Sequence, residues 1–287
     1  MSLPPPPPPA APARCYRHPD REAGRRCTRC GRPACSSCLV QATVGSHCLE
    51  CAKAAEPDTR TKARYWSARQ PILVTLILIT LNVGVFLYTV IQDPKAIGGA
   101  LTPTHVDLAL WGPAVENGDW YRLITSGFLH YGIIHLAFNM YLLYMLGQML
   151  EPAIGRIRFL LVYLAGLLGG SAGALILSPN SVTAGASGAV FGLLALAFVG
   201  YYLNGVNPMS TAIGSLLILN LVLTFLWSGR ISVGGHLGGA AAGALCSFAV
   251  MAPHHKKVPA WATYAAPIGV MLMSIGLAAL SVGGTTA

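Results

Sequence analysis

The chain has 287 residues, 54% of them hydrophobic and only 10% charged, with a formal net charge of +9. A soluble domain carries about 25% charged residues, so this composition excludes an ordinary soluble enzyme and indicates a polytopic membrane protein. The charge lies mostly before residue 70 or in short gaps between apolar runs, so the basic excess reads as membrane orientation, and nucleic acid is not an expected partner.

The chain opens Met1-Ser2-Leu3 followed by Pro4 to Pro9, with neither a basic n-region nor an apolar h-region, so no cleavable signal peptide is expected. Residues 1–13 read as a disordered proline-rich tail of polyproline II character. Seven of the eight cysteines then fall between residues 15 and 51. Cys15-x2-His18, Cys27-x2-Cys30, Cys35-x2-Cys38 and Cys48-x2-Cys51 make four ligand pairs, enough for two tetrahedral zinc sites in a module spanning 14–52. One such pair alone has a redox alternative, but four together favour metal over disulfides, provided the segment is cytosolic. His47 is an alternative ligand to Cys48. A module this small cannot fold on apolar burial, so the two structural zinc ions are expected to supply its folding energy. Arg14, Arg17, Arg21, Arg25, Arg26, Arg29 and Arg32 raise nucleic acid or anionic lipid as ligands. A structural or protein-interaction role, with a cytosolic protein partner, is the preferred reading.

Residues 53–70 form a basic linker, and seven apolar runs follow, each near the ~20 residues that a bilayer core requires. They cover about 71–91, 130–150, 157–178, 184–203, 210–228, 232–252 and 260–282. The long 92–129 segment carries Trp111, Trp120 and Tyr121, which favour the membrane interface. The expected fold is therefore all-α, a membrane helix bundle preceded by a small zinc-binding module. Arg60, Lys62, Arg64, Arg69, Arg156, Arg158, Lys256 and Lys257 fall on one side of the membrane, against Lys95, Arg122 and Arg230 on the other. The positive-inside rule then puts the N-terminus in the cytoplasm and, after seven spans, the C-terminus outside.

With this topology the second, fourth and sixth spans all enter from the outer face. Ser187 and His236 each lie about one turn into their spans, on the order of 5–8 Å deep, at matching depth. A serine and histidine that meet where water is scarce suggest a nucleophile and its general base. His135 and Asn139 stand four apart on one face of the second span, and His130 precedes them. An amide and a ring N–H are suitable oxyanion donors beside the Ser187 backbone N–H, although interhelical hydrogen bonds are the alternative use. Gly185, Gly188 and Gly192 on the fourth span, with Gly235, Gly239 and Gly243 on the sixth, remove the bulk that keeps helix axes apart. Gly166 and Gly170 on the third span have the same spacing and are assigned to packing alone. No acidic residue lies in the outer half of any span, so the pair is a dyad, with Phe191 placed to pack on His236. Cys246 reads as a small buried apolar residue.

Gly185-Ala186-Ser187-Gly188, His236-Leu237-Gly238-Gly239, His130-x4-His135-x3-Asn139 and Trp120-Tyr121-Arg122 together resemble the rhomboid family of intramembrane serine proteases. The resemblance implies a six-helix core over 71–252, with 253–287 adding a seventh helix and the C-terminus. It implies Ser187 as nucleophile, His236 as general base, His135 and Asn139 as oxyanion donors, and His130 and Gly185 in support. The family commonly has tyrosine at the position of Phe191, so ring stacking is kept and a hydroxyl is lost. The implied substrates are transmembrane segments of other proteins, cleaved near the outer face of the cell membrane. The cysteine order resembles a B-box-type zinc finger, which implies crossed pairing, first with third and second with fourth. An inactive scaffold that binds transmembrane segments is the alternative function. A transporter or channel fits less well, because the polar groups gather in one half of the membrane instead of running through it.

Overall fold

A computed structural model describes residues 12–56, 58–59, 61, 70–228, 231–253 and 255–283. The proline run and the basic residues Arg60, Lys62, Arg64, Arg69 and Arg230 lie outside the described residues. The chain is mostly helical and divides into two compact units, one up to Arg69 and one from Gln70.

The first unit departs from the all-α expectation. β1 (Arg25–Arg26) pairs antiparallel with β2 (Pro33–Ala34), and β3 (Leu39–Gln41) pairs antiparallel with β4 (Ser46–Cys48). In the second ladder Leu39 faces Cys48, Val40 faces His47 and Gln41 faces Ser46. A Cys-x2-Cys pair aims both thiols at one point only if the chain turns sharply, and Gly31 and Gly45, both at φ 73°, supply turns that L side chains resist. The ladders are two or three residues long, and such hairpins have little stability of their own. The apolar core is correspondingly small: Cys15, Ala34, Cys35 and Cys38, flanked by Tyr16 and Leu39.

Among the described residues the second unit contains seven apolar helices: α1 (Leu73–Gln92), α2 (Ile133–Ile154), α3 (Arg156–Leu177), α4 (Ser187–Leu203), α5 (Ala212–Leu226), α6 (Val233–Val250) and α7 (Ala262–Gly283). Five are long and apolar enough to cross a membrane, while α4 and α5 are shorter, at 17 and 15 residues. Two helices start three residues later than the hydropathy pattern predicts. Gly132 (φ 86°) precedes α2 and Gly185 (φ 136°) lies just before α4, and neither conformation continues a helix. His130 therefore lies in the loop before α2, and Ser187 is the first residue of its helix rather than one turn inside it.

The centre of the bundle is a glycine seam among α3, α4 and α6. A Cβ on Gly170 would come within 2.9 Å of the Gly235 carbonyl oxygen and 3.0 Å of the Gly188 Cα. A Cβ on Gly192 would sit 2.8 Å from the Gly166 Cα, and one on Gly239 or Gly243 would collide with the backbone of Gly188 or Gly192. Gly166 and Gly170 thus belong to the same close approach that sets the helices carrying Ser187 and His236 side by side. Backbones this close gain dispersion contacts that bulkier residues would forbid.

α7 packs along α3 and α6. Arg158 on α3 donates to Thr263 Oγ1 at 2.8 Å and lies over the Tyr264 ring. α1 packs on α2, where the buried Glu151 carboxylate accepts from Val74 N at 2.9 Å, Thr75 N at 2.8 Å and Thr75 Oγ1 at 2.7 Å. α1 has no side-chain cap of its own, so a carboxylate from the next helix satisfies its first N–H groups. α5 is the lightly packed member, burying Ile213, Gly214, Asn220 and Thr224. The 92–129 segment folds into short helical pieces (Pro103–Leu108, Gly112–Glu116 and Arg122–Thr125). Arg122 ties them together by donating to the Val106 and Ala109 carbonyls at 2.7 and 2.9 Å and to Asp119 at 2.9 Å.

Candidate active site and cysteine clusters

A cavity of about 960 Å³ opens between α2, α4, α5 and α6 and is lined by Ser187, His236, His135, Asn139, Phe191 and Gly185. Phe138, Leu142, Leu223 and Trp227 give it apolar walls suited to aliphatic or aromatic side chains. Ser187 stands at the N-terminus of α4, where the first backbone N–H groups have no intrahelical acceptor and the helix dipole favours negative charge. Gly185 arrives with its N–H bonded to the Ser126 carbonyl at 2.9 Å. A side chain there would meet the His135 ring, 2.8 Å from Cε1 and 3.0 Å from Nε2. Its lack of a side chain lets His135 approach the segment leading into Ser187.

The hydrogen bonds of His135 assign its tautomer. Its Nδ1 accepts from the Tyr131 backbone N–H at 3.3 Å, which leaves Nε2 to carry the ring proton toward the cavity. Asn139 donates one amide hydrogen to the His135 carbonyl at 3.0 Å, four residues back on the same helix. Its second amide hydrogen is uncommitted by that bond. Donors from α2 and the first N–H groups of α4 therefore border one cavity.

His236 is buried on α6, one turn from the helix start, with its ring stacked on Phe191 at a centroid distance of 4.1 Å and an interplanar angle of 19°. Its Nδ1 lies 2.7 Å from Thr224 Oγ1 on α5, and that hydroxyl is also 2.6 Å from the Asn220 carbonyl. Sequence reasoning passed over Thr224. The available signal was Asn220-x3-Thr224, two polar residues on one face of an otherwise apolar run. Glu151, at the C-terminal end of α2, is explained only by its partners Val74 and Thr75.

His130 lies outside the cavity lining but near it, edge-on to His135 at 5.1 Å between ring centroids. Its backbone carbonyl is 3.3 Å from Nε2 of His105, while its own ring nitrogens have no hydrogen-bond partner among the described residues. His105 also stacks on Tyr131, which connects the 92–129 segment to the entrance of α2.

In the first unit the ligand pairs meet as two tetrads, Cys15, His18, Cys35 and Cys38, and Cys27, Cys30, Cys48 and Cys51. First joins third and second joins fourth, while His47 belongs to neither cluster. Within each tetrad the candidate ligand atoms all lie within 4.8 Å of one another. A tetrahedron with ~2.3 Å metal–sulfur bonds has edges of ~3.8 Å. Cys30 and Cys48 sulfurs are 3.8 Å apart, and His18 Nδ1 is 3.4 and 3.3 Å from the sulfurs of Cys35 and Cys38. The Cys35 thiol is lowered to about 7, first by its contact with the Ser37 hydroxyl. The Arg32 guanidinium holds Cys30 below the usual thiol range. Cys38 is pushed up to about 11, chiefly by burial, and Cys51 to about 12, chiefly by Cys48. Three thiols in the first set and four in the second, this close, cannot all ionise unless a cation joins them, and both sets fit a zinc ion in number, chemistry and spacing.

Residues 117–253 match the Rhomboid domain family. The chain is 35% identical over 202 residues to Rhomboid protease GluP of Bacillus subtilis, covering 69% of this chain but only 38% of that protein. It is 38% identical over 138 residues to the Putative rhomboid protease YdcA of the same organism, covering 47% of this chain and 69% of YdcA. It is 29% identical over 234 residues to Rhomboid protease AarA of Providencia stuartii, covering 69% of this chain and 79% of AarA.

Proposed function

The chain belongs to the rhomboid family, and from that premise we propose that it is an intramembrane serine endopeptidase acting through a Ser187–His236 dyad. The observation that carries this reading is the convergence of Ser187 and His236 on one cavity that His135 and Asn139 also line. Neither residue is near the other in sequence, and the glycine seam lets their helices approach to backbone contact.

The substrate is a transmembrane segment that unwinds locally and presents a carbonyl carbon to Ser187. As Ser187 Oγ attacks, its proton passes to His236, and the carbonyl π electrons move onto oxygen. His135 Nε2–H, the Asn139 amide and the N–H groups at the start of α4 are positioned to meet that developing charge. His236 returns the proton to the departing amine, leaving an acyl-enzyme that water cleaves by the same steps in reverse order. His130 and Gly185 support this arrangement from outside the reacting atoms. Phe191 supplies a flat apolar face to the imidazole but no hydroxyl toward the substrate.

By the positive-inside rule the protein sits in the cell membrane with its N-terminus in the cytoplasm and its C-terminus outside. The six-helix core ends near residue 252 and α7 is an addition to it. The reaction then opens to the outer aqueous phase, from which water reaches the acyl-enzyme. The two cysteine tetrads hold structural zinc, which draws together loops that lack an adequate core. The module's use is to bind a cytosolic protein.

The test is cleavage of a model transmembrane substrate in proteoliposomes, with labelling by a fluorophosphonate. Cleavage and labelling by the native chain, and neither by Ser187→Ala or His236→Ala, is the expected result. A native chain that folds but neither cleaves nor labels overturns the reading.

A further inference from the structure

We propose that Thr224 on α5 is a positioning residue that fixes the tautomer and the in-plane orientation of His236, an inference that rests on His236 being the general base. The argument is one of donors and acceptors. Thr224 Oγ1 lies 2.6 Å from the Asn220 carbonyl oxygen, which can only accept, so the hydroxyl hydrogen points there. What Oγ1 then offers His236 Nδ1, 2.7 Å away, is a lone pair. Nδ1 must therefore carry the ring proton and donate it to Thr224. The nitrogen left bare is Nε2, and a bare nitrogen is what a base for Ser187 requires.

The opposite tautomer would put an N–H on Nε2 and leave Nδ1 bare against a hydroxyl whose hydrogen is already committed to Asn220. That arrangement loses the Nδ1 bond and presents a donor where the reaction needs an acceptor. During attack, Ser187 Oγ bonds to the carbonyl carbon while its proton moves to Nε2. The resulting imidazolium still donates Nδ1–H to Thr224, so the relay His236 → Thr224 → Asn220 stays intact through the step. Phe191 and Thr224 divide the positioning between them. The stacked ring holds the plane of the imidazole, and the hydroxyl holds its rotation within that plane. Thr224 thus fills, with a neutral group, the place that an acidic third member occupies in a triad.

Thr224→Val keeps the shape and removes the acceptor, whereas Thr224→Ser keeps the acceptor. In the full chain reconstituted in proteoliposomes, Val is expected to lower kcat and the fluorophosphonate labelling rate about tenfold, the worth of one buried hydrogen bond. KM should stay within roughly twofold, and Ser should restore kcat to near the native value. Nitrogen-15 spectra of the His236 ring should show Nδ1 protonated in the native chain and mixed tautomers in Thr224→Val. Native kcat in Thr224→Val, or a ring protonated on Nε2 in the native chain, overturns the proposal. So does a loss that Ser fails to rescue. A native chain without activity instead overturns the dyad reading, and the ring spectra still report on Thr224.

Discussion

The N-terminal module and the helical body are held together by different means. In the module the buried apolar residues are five cysteines and one alanine, the strands are two or three residues long, and two tetrads of candidate ligand atoms gather. In the body a continuous apolar core runs from Leu78 to Val282, and glycines let α3, α4 and α6 approach to backbone contact. Without an ion to join them, the clustered ligand atoms of the module have little apolar burial to hold them together. The module is thus organised around two sets of candidate ligand atoms, whereas the body's fold, and with it the geometry at Ser187, rests on close packing.

The sharpest way to break that comparison is to remove the metal. Zinc sites of this kind contribute about 10–16 kcal/mol to folding. Chelation, or Cys35→Ser with Cys48→Ser, should release two zinc ions per chain and unfold the module, read by metal analysis and limited proteolysis. Thermal unfolding of the helical body should be unchanged, and a parallel loss of both would refute the separation. Next in size, Ser187→Ala should lower cleavage by about 10⁴-fold or more while leaving zinc content and thermal stability untouched, which divides chemistry from folding within the body.

Two smaller effects probe how the body is packed. Glu151→Leu leaves the N–H groups of Val74 and Thr75 without their acceptor and should cost about 3 kcal/mol, read as a lower unfolding temperature in detergent. Gly243→Ala pushes a methyl group into the Gly192 backbone and should cost about 2 kcal/mol. It should also lower kcat, because the same seam spaces Ser187 from His236. Full activity in that variant would show that the seam does not set the site.

The candidate site was partly readable in the chain. Ser187, His236, His135 and Asn139 stood out because polar groups are scarce in apolar runs and a topology can be counted. The seven helices were readable for the same reason, through composition and length. The helix starts were less so, since Gly132 and Gly185 look like any other glycine until their positive φ is known. The β ladders of the module were missed because strands of two or three residues have no periodicity to detect. Gly166 and Gly170 were assigned to packing of their own, because nothing in a spacing of four names the helix on the other side.

What the sequence determined alone was chemical inventory and order: apolar runs long enough for a bilayer, four ligand pairs, and a serine and a histidine near the starts of two runs. These are local properties, set by residue type and spacing. Only the tertiary structure decided partners. It joined Glu151 to the start of α1, paired the cysteines across intervening strands, and brought Thr224 of a lightly packed helix to His236 Nδ1. A hydrogen bond depends on a fraction of an ångström and on which atom already has a partner, and neither is written in spacing along a chain.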